Sequence, residues 1–165
     1  MQSRPPNAVI LERAKSLCNE ACFTVALQHR RLRSVEPEDG AFIFRWHADL
    51  HFLIIALRRL RRAAGLVENI PQVSTVVKTA LQEFDSSLPN LSKMRNVGEH
   101  LDDYMLGIGR LHAVQRTQLQ VSSWNGTAFT WLGVELDIDT ALEAAGLLLR
   151  AVAESVRQYS GGVDA

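Results

Sequence analysis

Arg95, Asn96 and His100 are the residues of this chain whose types and spacing best suit chemistry on a phosphate ester. An imidazole transfers protons near neutral pH, and a guanidinium stabilises a developing oxyanion. On a helix, five positions put Arg95 and His100 about 140° apart around the axis and roughly 7–8 Å apart along it. They cannot stack on one another, but both could reach one phosphodiester or one partner chain. Asn96, His100 and Asp103 then line one flank, and Arg95, Glu99 and Asp102 another, because residues three and four apart are neighbours. The bland alternative is a helix surface that satisfies itself, with Arg95 on Glu99 and His100 on Asn96 or near Tyr104.

A second constellation is His47 and His51, spaced so that their rings share a helix face. Such a pair can hold zinc if other ligands complete the site, and His100 with Asp103 are the candidates by depth along the helices. Otherwise the two histidines only edge a core stripe, and no metal is called for. Cys18 and Cys22 lie four apart among apolar residues, which reads as a reduced, structural thiol pair. Two basic clusters stand out, His29–Arg33 and Arg58–Arg62. Each loads the end of a helix, where cations complement the dipole. Within the first, Arg30, Arg31 and Arg33 are the candidate substrate-binding residues.

Periodicity places these groups on five helices. The first is expected over about Asn7–Ser34 and the second over about Gly40–Ala64, with Asp39 as its cap and Phe42, Trp46, Leu50, Leu53, Leu57, Leu60 and Ala64 as its core stripe. The third runs from about Pro71 to Ser86, with Val73, Val76, Val77, Ala80, Leu81 and Phe84 buried. The fourth carries the motif from the Leu88-Pro89-Asn90 turn to Gly107 or Gly109, burying Leu91, Met94, Val97, Leu101, Tyr104, Met105 and Ile108. Gly98 is a poor helix residue and permits close approach, for instance by the matching helix of a second chain. Leu119–Trp124 and Thr127–Leu132 read as strands joined by Asn125-Gly126, a hairpin signal. Asp137 or Asp139 caps a fifth helix over about Thr140–Tyr159, ended by Gly161-Gly162. The fold class is therefore all-α, an antiparallel up-and-down bundle of about five helices in one domain, 1–165, with a β-hairpin at about 118–134 inserted between helices 4 and 5. In strict up-and-down order helices 2 and 4 are parallel, so Arg95 shares an end with His29–Arg33, and Arg58–Arg62 belong to the other.

Arg95-Asn96, three residues and His100 together resemble the signature of the HEPN family (higher eukaryote and prokaryote nucleotide-binding domains). That resemblance implies a small helical bundle, often a homodimer, and a metal-independent endoribonuclease that needs no cofactor. It also implies RNA as ligand and, in the family's toxin–antitoxin branch, an antitoxin-like protein partner. His100 would be the general base or acid in attack of a ribose 2′-hydroxyl on the adjacent phosphorus. Arg95 would clamp the phosphate and Asn96 would orient it, with two such sets meeting across a dimer cleft. Asp102 stands where the toxin branch has a Tyr, and Tyr104 follows two residues later. The competing expectation is a non-catalytic interaction or scaffold domain whose motif only holds a dimer together.

Composition bounds these readings. At 165 residues the chain is long enough for one well-buried domain. Eighteen basic residues cancel eighteen acidic ones, so any RNA contact has to use a local patch and not a global basic field. No Gly-rich phosphate loop, nucleophile elbow or paired catalytic carboxylates occur at recognisable spacing. Met1–Asn7 have no apolar run behind a basic start, and the longest apolar run, around Phe52–Leu57, is far short of a bilayer span. The expectation is a cytoplasmic protein with no membrane contact.

Overall fold

The structure, a computed structural model, describes residues 4–161. The chain is mostly helical, with a small antiparallel sheet. Seven α-helices occur among the described residues: α1 (Asn7–Arg33), α2 (Arg45–Gly65), α3 (Ser74–Ser87), α4 (Leu91–Glu99), α5 (Leu101–Leu106), α6 (Arg116–Leu119) and α7 (Ile138–Gly161). Strands β1 (Ser122–Trp124), β2 (Ala128–Trp131) and β3 (Val134–Asp137) lie in sequence order between α6 and α7. No helix among the described residues is long and apolar enough to cross a membrane. Gly162, expected to help end the last helix, and Met1–Ser3 lie outside the described residues.

One core joins helices and sheet. From α1 it takes Leu11, Ala14, Cys18, Ala21 and Val25, and from α2 Leu50, Leu53, Leu57 and Leu60. These spacings of three and four put one stripe of each helix inward. The last helix lies on the first, and its Ala141, Ala145, Leu148 and Val152 complete the middle. Phe129 and Trp131 of β2 close one side, and the Trp131 indole Nε1–H donates to the Leu119 carbonyl at 3.2 Å.

Four expectations are corrected. The second helix starts at Arg45, because Pro37–Gly40 forms a 3-10 turn whose Glu36 and Asp39 cap it reciprocally. Asp39 accepts from the Glu36 N–H at 2.9 Å and is ion-paired with Arg45, so it caps that turn and not α2. Phe42 consequently leaves the core stripe and is exposed with Ile43 and Phe44. Second, the motif helix breaks. His100 has φ −129° and ψ 36°, α4 ends before it and α5 begins after it. The break buries Tyr104 but turns Leu101, Met105 and Ile108 outward. Third, the hairpin gains a strand. Leu132 and Gly133 join β2 to β3 at φ 58° and 72°, a left-handed pair of the kind that suits a tight hairpin turn. Asp137 then accepts from the Thr140 N–H at 2.7 Å, as an N-cap does.

The fourth correction moves the site. Arg58 of α2 donates to Ser92 Oγ at the start of α4 (3.0 Å), while a Cβ at Gly98 would stand 3.6 Å from the His51 ring. Residue numbers rise in opposite directions along the two helices, so α2 and α4 are antiparallel and not parallel. The cause is α3, which packs mainly on α7 and does not retrace α2. Near its end Asp85 pairs with Arg61 at 2.8 Å, so the chain is still beside the last turns of α2 when α4 begins.

Candidate functional site

The antiparallel pairing of α2 and α4 brings together cations that strict up-and-down order keeps apart. Arg58 and Arg62 share a face of α2 by their four-residue spacing, with Arg59 next to them. Arg95 faces them from α4. With Ile55 and Glu99 these four arginines line a cleft of about 400 Å³. Arg95 donates to Glu99 at 2.7 Å, and Arg61 is turned aside onto Asp85 at 2.8 and 3.2 Å. Among the described residues no carboxylate pairs with Arg58, Arg59 or Arg62. Burial first, and then the guanidiniums of Arg61 and Arg95, hold Arg58 below the ordinary arginine value. The helix dipole accounts for a cation in the last turn, Arg62, but not for Arg58, a full turn further back.

The motif residues are divided. His100, at the helix break, is half-exposed with Nδ1 3.7 Å from the Asp103 carboxylate. It lines a hollow of only about 50 Å³ with Asn96, Asp103, Tyr104 and Arg110, none of which lines the arginine cleft. Asn96 donates its amide to the Tyr104 hydroxyl (3.0 Å), which also accepts the Leu111 N–H (3.3 Å). Asn96 therefore fixes the loop after α5 and does not bond His100. Arg95 and Glu99 form the self-satisfying pair that the bland reading expects.

The expected substrate-binding cluster sits elsewhere. Arg31 donates to Asp49 (3.0 Å) and Glu38 (3.3 Å). Arg33 donates to Thr127 Oγ1 (3.1 Å) and is ion-paired with Asp139, which His29 also meets at 2.7 Å. Arg30 is exposed. The Arg33 and His29 contacts hold the Asp139 carboxyl below its ordinary range. These residues stand beside the first turns of α2. Asp49 and Arg58 are nine residues apart, about 14 Å of helix, so the shared patch of Arg30, Arg31, Arg33 with Arg95 does not form.

His47 and His51 do share a face, with ring centroids 4.6 Å apart, and His51 lies beside Trp131 at 5.8 Å. Its Nε2 is buried without a hydrogen-bond partner, and burial, then His47, pushes its pKa down. No group of three or more His, Cys, Asp or Glu side chains fit to hold a metal occurs among the described residues, so His100 does not join the pair. Cys18 is buried and Cys22 half-buried, both as free thiols; burial pushes Cys18 up to about 12. The residues that sequence reasoning misplaced are Arg58, Arg59 and Arg62. Their spacing is plain in the sequence, but the direction of α4 that makes them a site is not.

Comparison of the chain with protein-family models, with curated proteins and with solved structures gives no match.

Proposed function

We propose that this protein is a HEPN-like helical module that binds RNA by its phosphate backbone in the cleft of Arg58, Arg59, Arg62 and Arg95. The observation that carries the reading is the convergence of three guanidiniums without carboxylate partners onto Arg95 of the motif. Arginine forks match phosphate oxygens in pairs, and a local patch of this kind suits a chain with no net charge. Endoribonuclease action would need His100 to act on RNA held by another copy, because within one chain His100 and Arg95 line separate hollows. The intrachain pairs Arg95–Glu99 and Asn96–Tyr104 favour a second reading, in which RNA or a partner is held and not cut.

One experiment separates these. Fluorescence anisotropy of a labelled single-stranded RNA, over a range of potassium chloride, compares wild type with R59A/R62A. The expected result is a loss of affinity of about tenfold or more, with the slope of log K against log salt reduced by roughly 0.7 for each lost phosphate contact. Equal affinity in both proteins sinks the cleft. Incubating the same RNA in EDTA with wild type and His100→Ala then reads cleavage. Products made only by wild type support the nuclease, and binding without products supports the silent module.

A further inference from the structure

Beside the arginine cleft, a second hollow opens between α1 and α2. Leu17, Ala21, Phe52, Ile55, Ala56 and Leu66 form its apolar walls, and it encloses about 600 Å³. That lies in the range of roughly 300–1,000 Å³ that holds a small organic ligand. Phe52, Leu66 and Leu17 are 57, 47 and 40% exposed, so the groove is open to solvent along an apolar rim. The groove and the cleft share Ile55, Arg59 and Arg62, which makes one continuous surface that is apolar at one end and cationic at the other.

The two ends together specify the chemistry of an occupant. The apolar stretch of Leu17, Ala21, Phe52, Ile55, Ala56 and Leu66 offers nothing to the hydrogen-bonding edges of a nucleobase. The polar lining is Glu20 and the boundary guanidiniums of Arg59 and Arg62, and Thr24 Oγ1 already donates to the Glu20 carbonyl at 3.0 Å. A base buried there would strand its polar atoms, whereas an alkyl chain has none. The guanidiniums at the shared boundary call for an anion, and Glu20 is the one carboxylate on the groove's wall. We propose that groove and cleft together bind a single-chain amphiphile, its alkyl tail lying between α1 and α2 and its phosphate or carboxylate head on Arg59 and Arg62. This rests on the arginine cleft being an anion site, and it adds regulation to that site. The head occupies the place of an RNA phosphate, so amphiphile and RNA exclude one another.

Isothermal titration with inorganic phosphate and with hexyl, octyl and decyl phosphate, each below its micelle concentration, tests this on the full chain. Affinity should rise about fourfold per methylene until the groove is filled. Phe52→Gln, at an exposed position, should flatten that rise and leave inorganic phosphate unchanged. R59A/R62A should weaken every compound about tenfold, and decyl phosphate should displace labelled RNA. If decyl phosphate binds no tighter than inorganic phosphate while RNA still binds, the groove proposal falls and the cleft stands. If neither RNA nor any phosphate binds, the cleft falls and takes the proposal with it. Cosedimentation with phosphatidylglycerol vesicles when monomeric decyl phosphate is inert would assign the surface to a membrane and overturn the proposal. Light scattering that shows a dimer dissociating as decyl phosphate binds would give the groove to a second copy, and overturns it equally.

Discussion

Asp49 and His51 stand two residues apart on α2, the first buried and the second half-buried with its Nε2 shut off from solvent. Asp49 lies between the guanidiniums of Arg31 and Arg45, at 3.0 and 2.6 Å, and ties the end of α1 to the start of α2. His51 has no such partner. Its ring is wedged among His47, Trp131 and Gly98, and its unpaired Nε2 favours the neutral form. A histidine whose folded pKa lies below the ordinary 6.5 binds fewer protons folded than unfolded, so its contribution is full above 6.5 and is lost as pH falls through the folded value. Thermal melting should therefore drop as pH is lowered beneath 6.5, and His51→Gln should flatten that part of the profile. Asp39 and Asp139, both held below the ordinary 3.8 by arginine contacts, have the same sign but act only in the more acid window. A slope below pH 6.5 that is identical in the variant would rule His51 out as its source.

Among the elements, α4 and α5 depend on two glycines with opposite roles. Gly98 is helical, and a Cβ there would meet the His51 ring at 3.6 Å and Trp131 at 3.8 Å, ordinary contact distances. Gly98→Ala should stabilise the protein by up to about 1 kcal/mol, the difference in helix propensity. At Gly109 a Cβ would fall 2.3 Å from the Tyr104 ring, which is locked by Asn96 and the Leu111 N–H. Gly109→Ala should destabilise by about 1–3 kcal/mol; urea titration of both variants reads the two signs, and a stabilised Gly109→Ala would contradict the packing described. These elements also mark what the sequence could tell. The spans of α1 and α7 and the body of α2, though not its start, follow from apolar periodicity, and the first turn of the sheet from Asn125-Gly126, whose Asn125 Oδ1 accepts the Thr127 and Ala128 N–H groups at 2.9 and 2.7 Å. The second turn did not show, because a leucine at positive φ carries no turn signature. Nor did the break at His100: apolar residues continue at helical spacing through Leu101 and Met105, and only packing reveals that they face solvent.

For the whole molecule, the direction of α4 decides where charge collects. Net charge is zero, yet the two ends of α2 differ: at one, Arg31, Arg33 and Arg45 are consumed by carboxylates, and at the other Arg58, Arg59 and Arg62 are not. Spacing along the sequence shows both clusters and cannot say which is neutralised: Arg45 has Asp49 four residues on, but Arg31 reaches Asp49 from α1 and Arg33 takes Asp139 from α7. The interruption at His100 has a consequence on a different axis, that of time. Residues Leu101–Leu106 form a six-residue helix that rests chiefly on α4 and the short α6 and buries one large side chain, Tyr104. Its hydrogen bonds can open without disturbing α1, α2 or α7, so the molecule has a built-in weak link. Amide hydrogen–deuterium exchange should find 101–112 opening orders of magnitude more often than the interior of α2. Gly109→Ala, by unseating Tyr104, should quicken exchange there further, while the slowest amides shift only by the change in global stability.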